Sequence, residues 1–426
     1  MSSFLIRGGT QLEGEVEISG AKNAVLPVLA ATVLGAGKIS LTRIPSLSDV
    51  KVMRDVLINL GADVIWDKDR MVIDTSYLDS CEIPEELMSQ MRASIFLMGP
   101  LLARYGKVKI YQPGGCSIGP RPIDLHLKGL EALGAEFEQK HGILLAQANK
   151  LEGAEINLDF PSVGATENIM MAAVRAEGKT VISNAAKEPE IINLQNFLNR
   201  MGAKIRGAGT DEIKIKGVKQ LQPVEYEIIP DRIEASTFLV GAAISKGEIL
   251  IKDIIPEHIE AVLSKLSETG NKIRVGKDWV KVSGSDNYQG IDLKTMPYPG
   301  FPTDVQAQFM TLLCLAEGSS LIKENIFENR LRHAEELRRM GAKIKIEGNT
   351  AIVKGKDKLS GAKVEAMDLR AGAALVLAGI VAEGETVVEK IYHIDRGYEN
   401  FEHKLTKLGA NIIRNKTKQE TIKAKS

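Results

Sequence analysis

Apolar stretches broken by short polar segments recur along the chain with one rhythm. In each round an apolar run ends at a glycine and gives way to an alternating segment, as in Ala382-Glu383-Gly384-Glu385-Thr386-Val387-Val388 and Ala176-Glu177-Gly178-Lys179-Thr180-Val181-Ile182. The run predicts a buried helix, and the alternation predicts a strand with one covered face. These glycines are Gly37, Gly106, Gly178, Gly247, Gly318 and Gly384. Some 23 to 28 residues further on, a second phrase closes another helix: Leu60-Gly61-Ala62, Leu133-Gly134-Ala135, Met201-Gly202-Ala203, Thr269-Gly270-Asn271, Met340-Gly341-Ala342 and Leu408-Gly409-Ala410. Glycine there suits the left-handed residue that ends a helix before a strand such as Lys343-Ile344-Lys345-Ile346. Because these later glycines are 68 to 73 residues apart, six copies of one helix, strand, helix, strand unit nearly fill the chain.

The pattern predicts an α/β protein of six units in two triplets, with Pro230 near the join. A chain of 426 residues also exceeds what one core serves, about 250 to 300 residues. The opening strand Phe4 to Ile6 and the alternating Glu13 to Ile18 precede the first helix, and their local pattern lets them pair with either half. The second unit is the longest. Its surplus coincides with Pro113-Gly114-Gly115-Cys116-Ser117-Ile118-Gly119-Pro120, and insertions in repeats often carry function.

Composition narrows the classes. An apolar share of 44% with 26% charged residues is that of an ordinary globular protein. Lys plus Arg equals Asp plus Glu, so the broad basic field that nucleic acid or an anionic membrane requires is missing and a small partner is expected. The apolar run Ala371 to Ala382 is too short for a membrane span and reads as a buried helix. No export signal is read at Met-Ser-Ser-Phe-Leu-Ile, and Cys81, Cys116 and Cys314 are odd in number and far apart, so a reducing cytoplasm is expected. The polar, basic last ten or so residues read as a frayed tail.

Counting back 14 or 15 residues from each upstream glycine reaches Lys22, Arg92, Gly164, Arg232, Asp304 and Arg370, where the first helix of each unit should begin. Four of these are cations, placed at helix ends that are already positive, which points to bound anions. Counting forward by 12 finds Asp49, Glu190, Ile259, Arg330 and Arg396, with Arg121 displaced by the insertion. Threefold symmetry within a triplet would bring these ends together. For any one arginine, a surface side chain or an intramolecular ion pair is the better explanation; the shared register is what favours a convergent anion site.

With these residues in view, the whole chain resembles the enolpyruvyl transferase family, and within it the members that act on UDP-N-acetylglucosamine. The likeness is carried by Ser19-Gly20-Ala21-Lys22-Asn23-Ala24, Gly114 to Pro122, Ser162-Val163-Gly164-Ala165-Thr166, Phe301-Pro302-Thr303-Asp304, Asp368-Leu369-Arg370 and His393-Ile394-Asp395-Arg396-Gly397-Tyr398. The resemblance implies a two-domain inside-out α/β barrel: residues 21–229 as the first triplet, 1–20 plus 230–426 as the second, and the active site in the cleft between them. It implies phosphoenolpyruvate and UDP-N-acetylglucosamine as substrates, no cofactor or metal, and a monomer.

By the same resemblance Lys22, Asn23, Arg121 and Arg396 hold phosphoenolpyruvate, and Arg330 and Arg370 are further anion contacts. UDP-N-acetylglucosamine would meet Arg92, Arg121, Pro122, Ile123, Asp124, Leu125, Ser162, Val163, Gly164, Asp304 and the backbone near Ile326. Asp304 resembles the base for the sugar 3-hydroxyl, although an aspartate in a helix first turn is commonly a cap. Cys116 would protonate C3 of phosphoenolpyruvate and can form an adduct at C2; its glycine neighbours and Arg121 suit a reactive thiol. Phe160-Pro161 departs from members with a lysine before Ser162, and Phe96 stands where some relatives have tryptophan and reads as core.

The nearest rival is the relative that uses shikimate 3-phosphate, which employs no loop cysteine. Ser19-x-x-Lys22 with Ser285-Asp286-Asn287 matches two of three motifs of a serine acyl enzyme, but Lys-Thr-Gly is missing. A non-enzymatic repeat scaffold would have interchangeable units, unlike those marked by Lys22, Cys116 and Asp304.

Overall fold

A computed structural model of the chain describes residues 2–111 and 123–415. These fold as two compact units, one from residues 20–111 and 123–229, the other from 2–19 and 230–415. Gly20 falls in the first unit, one residue from the expected boundary. Each unit encloses its own apolar core.

Each unit repeats the same parts three times. The inner helices of the first are α1 (Lys22–Ala31), α2 (Met98–Tyr105) and α3 (Val163–Ala173); those of the second are α4 (Arg232–Ile244), α5 (Thr303–Leu313) and α6 (Leu369–Val381). All but α2 are buried along almost their whole length, which is why their sequences are apolar all round. The other long helices, such as Pro189–Arg200, bury one stripe and keep a polar face in water. In the second repeat residues Arg92–Leu97 form a 3-10 turn and α2 starts only at Met98, later than expected. Ser94 bonds the Met91 carbonyl three residues back through both its amide and its hydroxyl, which tightens the turn.

Among the described residues each unit carries three sheets of one plan. Glu225–Glu227 runs parallel to Lys38–Thr42, which pairs antiparallel with Arg70–Asp74, and that in turn with Asp63–Asp67. Four further sheets repeat this order. In the sheet of Lys107–Tyr111, an isolated bridge from Glu82 to Lys109 stands in place of the parallel edge strand. The alternation seen in the sequence is the inward and outward alternation of these strands, as in Glu212–Lys216, where Ile213 and Ile215 are buried.

Both N-terminal strands belong to the second unit. Ser3–Arg7 lies between Glu385–Glu389 and Asn411–Asn415, antiparallel to both, with Phe4 opposite Val388 and Ile6 opposite Thr386. Glu13–Glu17 forms the parallel edge beside Glu248–Lys252. Phe4, Ile6 and Leu12 are fully buried there. The six helix-closing glycines all have φ between +88° and +104°, as a left-handed cap requires. Gly247 has another reason: a Cβ on it would sit 2.0 Å from the Leu12 carbonyl oxygen, and the left-handed residue of that turn is Lys246. Among the described residues no helix is long and apolar enough to cross a membrane.

Candidate active site

The second unit brings its predicted cations together around one carboxylate. Arg232 is the first residue of α4, and Asp304 and Arg370 are the second residues of α5 and α6. Two of these helices are capped by other aspartates: Asp231 accepts from the amides of Ile233 and Glu234, and Asp368 from those of Arg370 and Ala371. Helix α5 begins after Pro302 and has no side-chain cap, so Asp304 does not cap it. Its carboxylate goes to arginines. Arg330 Nη2 donates to Oδ1 at 2.8 Å and Arg370 Nη2 to Oδ2 at 3.1 Å.

The two arginine side chains are 4% and 3% exposed, whereas Asp304 keeps 26% of its side chain in contact with solvent. Burial by itself would raise the Asp304 pKa; Arg370 and Arg330 outweigh it and hold the carboxyl well below its usual range. Two guanidinium charges face this one carboxylate, with Arg232 adding to the field and Asp231 opposing it near Arg370. Nε of Arg330 and Nε and Nη1 of Arg370 are buried without a hydrogen-bond partner. Buried donors left unpaired cost about 1–3 kcal/mol each, and an anion is the ligand that would satisfy them. The intramolecular ion pair is present, with three buried arginine donors still unpaired beside it.

In the first unit Lys22 opens α1, which has no side-chain cap, and its ammonium is neutralised by Asp49 at 2.7 Å. The side-chain amide of Asn23 has no partner among the described residues and is half-buried. Ser162 caps α3 by accepting from the Ala165 amide, so the helix amides of Val163 and Gly164 point outward without an intrahelical acceptor. A side chain at Gly164 would press on the rings of His126 and Phe96 at 3.2 and 3.3 Å. Phe96, expected in the core, is thus half-buried with its ring edge beside this helix start. His126 is buried and held through Nδ1 by Asn168 Nδ2 at 3.0 Å, while Asn168 also bonds the Ile95 carbonyl and the Gly99 amide.

The remaining predicted residues are spread more widely. Ile123 precedes the helix Asp124–Ala132, where Asp124 is exposed and Leu125 packs partly on the core. The Ile326 amide donates to Glu324 Oε1 at 2.8 Å, so a ligand acceptor there must compete with it. Arg396 ends the 3-10 turn Ile391–Arg396; burial and then Arg396 lower the pKa of half-buried His393. Arg92 opens its own 3-10 turn. Cys116, Arg121 and Pro122 lie outside the described residues. Ser19, the acyl-enzyme candidate, donates to Glu399 at 2.7 Å and accepts from Lys404 at 2.8 Å.

Residues 6–405 match the family described as EPSP synthase (3-phosphoshikimate 1-carboxyvinyltransferase). The chain is 55% identical to UDP-N-acetylglucosamine 1-carboxyvinyltransferase 1 of Caldanaerobacter subterraneus subsp. tengcongensis, over 97% of this chain and 99% of that one. It is 54% identical to UDP-N-acetylglucosamine 1-carboxyvinyltransferase 2 of Carboxydothermus hydrogenoformans, with the same coverage. The chain belongs to the UDP-N-acetylglucosamine 1-carboxyvinyltransferase family.

Among solved structures, the enolpyruvyl transferase NikO from Streptomyces tendae superposes with a TM-score of 0.90 at 24% identity, covering 98% of this chain and 99% of that one. An EPSP synthase from Acinetobacter baumannii gives 0.76 at 18%, over 98% and 100%. These fix the inside-out α/β barrel fold of the chain. Sequence reasoning found the helix-start charges but not the side chains behind them, notably Asn168, Thr237 and Gln308. Their signal was polar residues interrupting helices that are otherwise apolar on every side.

Proposed function

We infer that the chain transfers the enolpyruvyl group of phosphoenolpyruvate to the 3-hydroxyl of UDP-N-acetylglucosamine, releasing phosphate, the first committed step of peptidoglycan synthesis. The observation that carries this is identity above half, end to end, with 1-carboxyvinyltransferases of that sugar nucleotide, against 18% to an EPSP synthase. The reaction is an addition and an elimination. A proton adds to C3, the sugar oxygen bonds to C2, and the resulting tetrahedral centre loses phosphate and a C3 proton to restore the double bond. Cys116 supplies the first proton, and Lys22, Asn23, Arg121 and Arg396 bind phosphoenolpyruvate.

The amides at Val163 and Gly164, with Ser162, suit the diphosphate, because a helix start offers donors and positive potential. Arg92, Pro122, Ile123, Asp124, Leu125 and the backbone at Ile326 complete the sugar-nucleotide contacts. Asp304 accepts the sugar proton. Its two arginines keep it ionised but make it a weak base, so it gains basicity when an incoming anion takes over part of their charge. Arg330 and Arg370 therefore serve both the carboxylate and the anion.

The test is phosphate release from phosphoenolpyruvate with each acceptor. Turnover with UDP-N-acetylglucosamine and none with shikimate 3-phosphate is the expected outcome; the reverse preference would overturn the reading.

A further inference from the structure

Behind Arg370 lies a buried polar network that the reaction as described does not use. Tyr398, Thr237 and Gln308 are 2%, 0% and 0% exposed. Thr237 Oγ1 donates its one proton to the Ile233 carbonyl at 2.9 Å. The Tyr398 hydroxyl, 2.8 Å from the same Oγ1, must then be the donor of that pair. Gln308 Nε2 is 3.1 Å from Thr237 Oγ1, 3.2 Å from the Tyr398 hydroxyl and 3.2 Å from the Asp304 carbonyl. The phenol proton is thus committed to Thr237, and its oxygen is left to accept. The Arg370 guanidinium carbon lies 5.4 Å from the centre of the Tyr398 ring.

Three polar side chains in an otherwise apolar helix cluster are costly unless satisfied, and this cluster is not fully so, since Gln308 Oε1 has no partner. An apolar trio would pack at least as well. What the polar trio adds is a fixed platform under one arginine: Arg370 is bound to Asp304 through Nη2 alone, a single bond that does not by itself fix the guanidinium plane, and Tyr398 is its other polar neighbour.

We propose that Tyr398, held in place by Thr237 and Gln308, is a positioning residue that sets the plane of the Arg370 guanidinium, keeping Nε and Nη1 turned to the incoming anion while Nη2 grips Asp304. This rests on the reading of Arg370 as an anion contact. Misplacing such a group by about 1 Å can cost up to a hundredfold in rate, so loss of one support is expected to cost about tenfold.

Steady-state kinetics on the full chain, with melting temperatures alongside, test the proposal. Tyr398→Phe keeps the ring and removes the hydroxyl, Thr237→Val removes its anchor at equal shape, and Thr237→Ser keeps the anchor. The first two are expected to lower kcat/KM for phosphoenolpyruvate about tenfold with the KM for UDP-N-acetylglucosamine within about twofold, and Thr237→Ser to remain near wild type. Wild-type kinetics in folded Tyr398→Phe or Thr237→Val, equal losses for both substrates, or a Thr237→Ser as impaired as Thr237→Val would each overturn it. Should Tyr398→Phe fail to fold, the Thr237 pair decides. Arg370→Lys separates the two layers: wild-type kinetics there removes Arg370 from anion binding, whereas a loss there beside an unaffected Tyr398→Phe removes only the positioning role.

Discussion

Replacing Asp304 by alanine should lower stability as well as turnover, and the stability loss can be sized from the structure. The carboxylate is the shared counter-ion of Arg330 and Arg370, both almost fully buried. Removing one partner of a buried pair costs about 3–5 kcal/mol because a charge is stranded. Here the carboxylate is 26% exposed, so water already screens part of the interaction and about 2–3 kcal/mol is the better figure. In a domain of this size that is a fall of roughly 5–10 °C in melting temperature. The gap left beside two guanidinium groups should bind inorganic phosphate, and saturation to about 100 times its Kd would return roughly 2.7 kcal/mol.

The pH dependence has a definite sign. A carboxyl whose folded pKa is depressed stabilises the fold above its unfolded value near about 3.9, and the benefit is lost as pH falls through the lower folded value. The advantage of wild type over Asp304→Ala should therefore be flat above about pH 5 and shrink below about pH 4. Calorimetry with and without phosphate, on both proteins across this range, is the assay. Equal melting temperatures, or phosphate protection no greater in the variant than in wild type, would refute the counter-ion argument.

Three further outcomes are expected. The epoxide fosfomycin, an inhibitor of this family, should alkylate Cys116 by mass spectrometry and leave Cys314 untouched, because Cys314 is fully buried and burial pushes its thiol up to about 12; Cys116→Ala should lose inactivation and about a hundredfold or more of turnover. Glu167 is buried, and burial, then Glu190 and Glu188, raise its pKa well above normal; Glu167→Gln should be more stable than wild type above about pH 4.3, by about 1.4 kcal/mol per pH unit until the folded pKa is passed, as denaturant melts at stepped pH would show. Gly202→Ala puts a Cβ into open space at φ +104°, so its expected loss of about 1–2 kcal/mol, read from the same melts, is purely a backbone effect.

The repeat was legible because each copy must end a helix in a left-handed turn, and only glycine does that cheaply; Gly61, Gly134 and Gly341 mark it in the sequence as plainly as in the backbone. Helix starts at Lys22, Arg232, Asp304 and Arg370 were readable by counting from those marks. Partners were not. Asp304 meets Arg330 and Arg370 at separations of 26 and 66 residues, which the spacing aligns but does not pair. Phe4 and Ile6 announce a strand with a covered face, yet nothing local says that its neighbours in the sheet carry Val388 and Ile412. Lys22 illustrates the same limit, since a cation at a helix start implies a nearby anion without saying that Asp49 already provides one.

The strand at residues 3–7 also sets an order of events during synthesis. It emerges long before its partners and must wait for residues 385–389 and 411–415 to pair with it, a separation of 378 residues between Arg7 and Glu385. At about 5–20 residues per second the wait is roughly 20–75 s. Meanwhile all three sheets of the unit formed by residues 20–229 are complete in sequence, so that unit can mature while the nascent chain still holds two unpaired strands of the other. Among the described residues the last strand to emerge pairs with the earliest one. A premature stop between residues 230 and 411 would leave a mature first unit tethered to a sticky, unfinished partner.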